Sequence, residues 1–413
     1  MYKLTKTEWA WAMYDFANSA YAFIVLSLFF PLFFADYIAV HKPIAALWAL
    51  SLAVSIIIVG FFSPLLGAYT DRTATRKRYF IFTSLFSVIG TAILFTTAYM
   101  PWLIAVFTFI IINAAFGLSR SLFDSFITVI SPGKNVSTTL SGLSCSMGYI
   151  GGPLCLLIVW LMIGQKWPGN LSDYRLVFLT TGLFFLIFSL WTYVSLPRDE
   201  QGKSASFKKH TFQMVWHTLH KWKTMKHIFI FLFAMYFIVS GTTTIIYFIS
   251  LFAKTHLQFN IGQIVYLLLI VQGVGIFATV GICWLAEKYG ELKFLIICTG
   301  LWILIIFLMF ISHDYTSFLS IAALSGIVLG STPAIARGFF GKIIPVDQRA
   351  EFYGFNTLVS RVAAIIGPLV FGFTSSLWDM RIALLTIIPF LLTAVVLLIY
   401  LSNKNEEWQK TFG

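Results

Sequence analysis

Apolar residues run through this chain in about a dozen long stretches, each close to the roughly 20 residues a helix needs to cross a bilayer. They fall near 12–36, 46–69, 78–99, 101–124, 139–163, 176–196, 228–253, 261–286, 292–312, 315–340, 352–378 and 381–402. Turn-forming or charged residues separate them: His41-Lys42-Pro43, Asp71-Arg72, Met100-Pro101, Ser131-Pro132-Gly133, Gly290 and Pro345. Lipid offers the backbone no hydrogen bonds, so each stretch must satisfy its own as a helix. The pattern predicts an all-α, polytopic membrane protein with twelve transmembrane helices.

The longest polar segment, 197–227, divides the stretches six and six. The domains expected are an N-terminal half at 1–196, a cytoplasmic linker at 197–227 and a C-terminal half at 228–413. Within the linker, Phe212, Trp216, Leu219, Trp222 and Met225 recur at three- and four-residue steps among Lys221, Lys223 and Lys226. That spacing predicts a helix lying on the membrane surface. His210, His217, His220 and His227 are accompanied by no carboxylate or cysteine in a ligand pattern, so they read as a solvated basic face rather than a metal site.

The halves look like repeats. Gly117 precedes Pro132 by fifteen residues, and Gly330 precedes Pro345 by fifteen. Gly152-Pro153-Leu154 in the fifth stretch answers Gly367-Pro368-Leu369 in the eleventh, and Thr70-Asp71-Arg72 answers Ala286-Glu287-Lys288. Duplicated halves are the architecture of many secondary transporters, with a solute site near the midplane.

Composition agrees with lipid as the solvent: 59% of residues are hydrophobic, 11% are charged and 43 are phenylalanine. The net charge of +12 is distributed as a topology signal. Lys42, Lys166, Arg175, Lys254 and Arg381 fall on one side of the membrane, and every other basic residue outside the spans falls on the other. The basic side faces the cytoplasm, which puts both termini and the linker there. Nucleic acid is not an expected partner; anionic lipid is. The first span lacks a small-residue cleavage pattern and is expected to act as the insertion signal. Cys145, Cys155, Cys283 and Cys298 lie in spans, without zinc spacing, and read as small core residues.

Apart from residues at the ends of spans, Arg120 and Arg361 are the basic residues expected inside them. Charges there mark solute paths or buried ion pairs. Arg361 has no acid nearby on its own helix, Asp379 being eighteen residues away. Its partner is a group on another helix or the anionic group of a solute, for which a guanidinium fork is well shaped. Asn356, Thr357 and Ser360 lie close to it on the same helix. In the first span, Asp15, Asn18, Ser19 and Ala22 share one face, and Tyr21 adjoins it. This face either lines a cavity or bonds a neighbouring helix. In the fourth span, Arg120 and Asp124 are four apart and able to pair; at a depth similar to that of Asp15, they are expected to form a cluster with it, joined by Arg76, the alternative role being a static ion pair. In the seventh span, Ser240-Gly241-Thr242-Thr243-Thr244, flanked by Tyr236 and Tyr247, predicts a locally weakened helix whose freed groups line a cavity; the alternative is hydroxyl back-bonding within an intact helix.

Two motifs carry a resemblance. Gly67-Ala68-Tyr69-Thr70-Asp71-Arg72-Thr73-Ala74-Thr75-Arg76-Lys77-Arg78 resembles the loop signature of the major facilitator superfamily, which usually has glycine where Ala74 stands. Gly67 is expected to allow close helix approach. Tyr14-Asp15-Phe16-Ala17-Asn18-Ser19-Ala20-Tyr21 resembles the vacuolar effluxer-like branch, which includes amino-acid exporters of fungal vacuoles and bacterial members. The resemblance implies a cytoplasmic gate built from Gly67, Asp71, Arg72, Arg76, Arg120 and Asp124.

The function expected is secondary active transport of a small polar, anionic or zwitterionic, amino acid-like solute by alternating access. Arg361, Asn18, Tyr21, Asn356, Ser360, Tyr236, Ser240, Thr243 and Tyr247 are the candidate solute contacts. A coupling proton, carried by Asp15 or Asp124, is the one cofactor considered. A lipid or lysolipid transporter and a non-transporting sensor are the alternatives. With no phosphate-cradling Lys-Ser/Thr loop and no His-Glu-x-x-His helix in the sequence, ATP-driven transport and enzymatic activity are not expected. The chain is expected to be a monomer in a bacterial inner membrane.

Overall fold

A computed structural model describes residues 5–126, 130, 136–164, 166–197, 225–344 and 349–412. The predicted surface helix of the linker, Pro132 and Pro345 lie outside the described residues, as do the side chains of Asp71, Arg72 and Cys145. Among the described residues the protein is helical and contains no strand.

Six helices precede residue 197: α1 (Lys6–Ile38), α2 (Ile44–Thr73), α3 (Arg76–Ile93, continuing as a tight 3₁₀ turn over Leu94–Tyr99), α4 (Trp102–Ser125), α5 (Val136–Met162) and α6 (Leu171–Ser195). Six follow residue 225: α7 (Lys226–Thr255), α8 (Ile261–Tyr289), α9 (Glu291–Ile311), α10 (Tyr315–Ile343), α11 (Arg349–Leu377) and α12, made of Met380–Leu385 and Ile387–Phe412. Eleven are long and apolar enough to span a bilayer, and the apolar part of α5, Met147–Met162, is shorter. The chain is a polytopic, all-α membrane protein, with twelve long helices among the described residues.

The helices cluster into two units, before and after the linker. Each uses the same pairings. In the first unit α1 packs on α5 and α6, α4 on α2 and α3, and α3 on α6; in the second, α7 packs on α11 and α12, α10 on α8 and α9, and α9 on α12. The close crossings repeat as well. A carbon added to Gly117 on α4 would lie 2.5 Å from Val59 of α2, and one on Gly326 of α10 would lie 2.7 Å from the Val271 carbonyl of α8. Small residues that let backbones approach are the usual means of helix association in lipid. Gly67, expected to act this way, has nothing within 4 Å of its added carbon. It lies in the open last turns of α2, beyond the tight part of the α2–α4 crossing.

α1 changes winding along its length. It is α-helical to Ala20, then π-helical over Tyr21–Phe29 and again over Phe34–Ile38. Pro31 provides a reason. It lacks an N–H and its ring crowds the preceding turn, and a wider turn relieves that clash. Ser27 Oγ uses the wider turn to donate to the Ala22 carbonyl at 3.1 Å.

Candidate functional site

The start of α1 is fixed by a capping box. Glu8 N–H donates to Thr5 Oγ1 at 3.3 Å, and Thr5 N–H donates to Glu8 Oε2 at 2.7 Å. One turn on, Trp11 stacks on Phe123 of α4 with ring centres 4.6 Å apart and donates to the Phe123 carbonyl at 3.1 Å. Thr192 of α6 donates to the Ala10 carbonyl at 2.6 Å. These bonds set the rotation of α1 and so determine where Tyr14, Asp15 and Asn18 point.

Tyr14 is wholly buried and joins a chain of hydroxyls. It donates to Ser119 Oγ on α4 at 3.0 Å, Ser119 donates to the Phe116 carbonyl, and Tyr14 lies 2.9 Å from Ser84 Oγ on α3. Ser84 Oγ in turn lies 2.6 Å from the Tyr193 hydroxyl on α6. Since Tyr14 spends its proton on Ser119, it accepts from Ser84, and Ser84 accepts from Tyr193. One directed chain thus ties four helices together. Ser84 and Tyr193 did not stand out in the sequence, because isolated hydroxyl residues in apolar spans form no pattern.

Beside this chain lies the charged cluster. Asn18 is fully buried and sits between an acid and a base. Its Nδ2 donates to Asp15 Oδ1 at 3.1 Å, and its Oδ1 accepts from Arg120 Nη1 at 3.1 Å. Arg120 Nη2 lies 3.6 Å from Asp15 Oδ1, and the two side chains are 41% and 13% exposed. Ser144 Oγ of α5 donates to the second carboxylate oxygen, Asp15 Oδ2. Asp15 is therefore held on both oxygens, while the guanidinium keeps an accessible edge. Arg120 reaches across to α1, so the expected grouping of Asp15 with Arg120 is present, with Asn18 as the bridge between them; Asp124 is exposed at the end of α4. Tyr21 turns inward, donating to Asn113 Oδ1 at 3.3 Å with its ring 4.2 Å from Phe116. Asn18 and Tyr21, both read as solute contacts, are thus wholly buried against protein partners. Ser144 is the partner that sequence reasoning missed, one serine among several in Ser141-Gly142-Leu143-Ser144-Cys145-Ser146.

At the foot of this unit, the basic cluster binds helix ends. Arg76 Nη1 donates to the Ser125 carbonyl at 3.4 Å with its guanidinium 5.7 Å from the Phe126 ring centre, and Lys77 Nζ donates to the carbonyls of Val194 and Leu196. Cations there meet the negative ends of α4 and α6. Ala74 ends α2 in the left-handed conformation, φ 52° and ψ 43°. That conformation accounts for the glycine usual at this position. The second unit ties the corresponding helices differently: Glu291 at the start of α9 pairs with Lys342 near the end of α10 at 2.9 Å.

In the second unit, α7 runs unbroken from Lys226 to Thr255, so the predicted weakening at 240–244 is corrected. The hydroxyls return to their own helix: Thr242 to Ile238, Thr243 to Val239 and Thr244 to Ser240, at 2.9, 2.6 and 2.6 Å. Gly241 keeps its helical place by packing against Ile387 and Leu391 of α12. Ser240 is buried and donates to the Ala363 carbonyl of α11 at 3.1 Å, so it fastens α7 to α11. Tyr236, Thr243 and Tyr247, seven and four residues apart, share one half-buried face of α7. On α11, Ala363 and Gly367 form the face against α7. Arg361, two residues before Ala363, projects about 200° round the helix from it, away from α7. Arg361, Asn356 and Ser360 are half-buried. Cys155 and Cys298 are buried and Cys283 is half-buried, all as free thiols.

Residues 36–410 match the family described as "Vacuole effluxer Atg22 like". The chain belongs to that family. Over 98% of its length it is 24% identical to the MFS-type transporter YxiO of Bacillus subtilis (strain 168), covering 97% of that protein. It is 27% identical over 60% of its length to autophagy-related protein 22-1 of Penicillium rubens, and it spans only 46% of that fungal protein. In fold it is similar to the nucleoside transporter NupG, with a TM-score of 0.74 at 16% identity over 96% of this chain and 99% of that one. It is also similar to a bacterial homologue of the human lysosomal transporter Spinster, with a TM-score of 0.69 at 13% identity over 96% of both chains. This Atg22-like chain is a transporter of the major facilitator type.

Proposed function

We propose that the chain is a secondary active transporter that moves a small polar, amino acid-like solute by alternating access, with proton coupling through Asp15. The observation that carries this reading is the Asp15–Asn18–Arg120 cluster within the apolar spans. A carboxylate and a guanidinium are costly in such surroundings. Here they are 3.6 Å apart, bridged by a buried amide, with the base 41% exposed. A neutral Asp15 would weaken its hold on Arg120, so the protonation state of one side chain changes the charge of the whole cluster. A static fastening would not need the exposed edge.

Arg361 is proposed to meet the anionic group of the solute, with Asn356 and Ser360 on the same helix, while Tyr236, Thr243 and Tyr247 offer a separate half-buried polar face on α7. The support is its turn away from the α7–α11 crossing and the half-buried face that α7 keeps. The basic asymmetry supports cytoplasmic termini in a bacterial inner membrane, and the family's description as effluxers favours export. The test is transport in proteoliposomes, with a panel of radiolabelled amino acids, under an imposed pH gradient. Accumulation of one class that collapses with a protonophore supports the reading. Movement of no amino acid, or accumulation indifferent to the protonophore, overturns it.

A further inference from the structure

One end of the second unit holds a cluster that the transport reading does not use. α7 ends at Thr255, and His256 follows as its C-cap. The His256 ring stacks on Phe252, centroids 5.3 Å apart. Its Nδ1 lies 3.0 Å from Asp379 Oδ1. Asp379 is the N-cap residue of α12, yet its side chain makes no cap bond; the carboxylate is turned to the histidine instead. Arg381 Nε donates to His256 Nε2 at 3.0 Å. The same guanidinium reaches the joint between α9 and α10: Nη1 donates to the Phe310 carbonyl at 2.7 Å and lies 2.9 Å from His313 Nε2, and Nη2 donates to the Ser312 carbonyl at 2.9 Å.

An arginine has donors only. Both imidazole nitrogens that face Arg381 must therefore offer lone pairs, so His256 and His313 are neutral in this arrangement. For His256 the proton then sits on Nδ1, where it donates to Asp379. One guanidinium thereby fastens the end of α7, the 310–313 joint and the start of α12.

We propose that this cluster is a pH-sensitive latch, in which protonation of His256 and His313 releases Arg381 and lets the three segments part. Histidine is the side chain whose charge most readily changes near neutral pH. A second proton on His256 places an N–H against the Arg381 N–H at hydrogen-bond distance and sets two cations in contact. The protonated ring keeps Asp379, whose charge favours it, and loses Arg381. His313 behaves alike. It adjoins Asp314, whose carboxyl is held below its usual range by the hydrogen bonds from Ser317, so Asp314 remains an anion that favours the charged imidazole as the pH falls. Lys254, two residues before His256, is the other nearby charge on α7. It opposes protonation, as Arg381 does. The latch would make the opening of this end answer to the acidity of the compartment it faces.

The test is a distance measurement by pulsed electron paramagnetic resonance on the full chain in detergent. Spin labels go on cysteines placed at Gln258 and Trp378, both exposed, in a background with the four native cysteines replaced. The expected result is a narrow distribution at pH 7.5 that lengthens and broadens by pH 5. His256→Gln with His313→Gln should hold the same distribution at both pH values, because an amide oxygen accepts from Arg381 and does not titrate. Arg381→Gln should show the broad distribution already at pH 7.5. An unchanged wild-type distribution from pH 7.5 to 5, or a double glutamine variant that responds as the wild type does, would overturn the latch.

Discussion

The Phe16 carbonyl oxygen lies 2.0 Å from where a Cβ would stand on Gly151, and the Ser240 carbonyl oxygen lies 2.1 Å from the corresponding point on Gly367. The first helix of each unit thus crosses the fifth helix of that unit backbone against glycine. In unit one Ser19 Oγ also lies 2.6 Å from the added carbon, and in unit two Thr244 Oγ1 lies 2.5 Å from it. Gly151→Ala and Gly367→Ala should each destabilise the protein by about 1–3 kcal/mol through overpacking. Gly300, with nothing within 4 Å, supplies a control. Melting in detergent checks this: both alanine variants should melt below the wild type and below Gly300→Ala.

Ala74 adopts a conformation that costs a residue with a Cβ about 1–2 kcal/mol. Replacing it with glycine removes that cost and adds backbone freedom to the unfolded chain, a loss of about 0.4–1 kcal/mol. Ala74→Gly should therefore be stabilising by up to about 1.6 kcal/mol, with transport retained. A lowered melting point for this variant would show that the turn is not strained.

Asp15→Asn keeps the shape of the side chain and removes its charge. Uphill accumulation driven by a pH gradient should be lost, while exchange of internal for external solute persists. For one proton per solute, a gradient of one pH unit stores about 1.4 kcal/mol, enough for roughly tenfold accumulation. Accumulation of that size in the variant would remove Asp15 from the coupling.

Arg361→Gln should weaken solute binding by on the order of 2–3 kcal/mol, since an anion loses its charged partner. That corresponds to roughly thirty- to over a hundredfold in Kd. Arg361→Lys should restore only part of the loss, because an ammonium cannot form the planar fork. Affinity and melting temperature measured together decide the role: normal affinity with lowered stability would mark Arg361 as a structural residue.

The topology is open to labelling in cells. Single cysteines at Lys203 and His313, in a chain otherwise free of cysteine, should react with impermeant reagents from opposite sides, Lys203 from the cytoplasm. Labelling of both from outside would reverse the reading of the basic residues.

The sequence by itself determined the helices, because the cost of unsatisfied backbone in lipid leaves few alternatives to long apolar stretches. It also pointed to the repeat and to Asp15, Asn18 and Arg120, since a charge or amide among apolar residues is conspicuous. Partners were another matter. The grouping of Asp15 with Arg120 was legible from their similar depth, but Asn18 as the bridge and Ser144 as the second partner of Asp15 were not, because they depend on how Trp11, Tyr14 and Thr192 fix the rotation of α1. The Ser240–Thr244 run has the composition of a weak helix, but packing against α11 and α12 keeps it wound. Gly151 meets the Phe16 backbone and Gly152 the Phe23 side chain, both on α1, a division of contacts that depends on which face of α5 meets α1. The fourfold hydroxyl chain and the Arg381 cluster join residues more than a hundred positions apart or spread over three joints. Such contacts have no local signature, and only the packing of helices against one another brings them within hydrogen-bond reach.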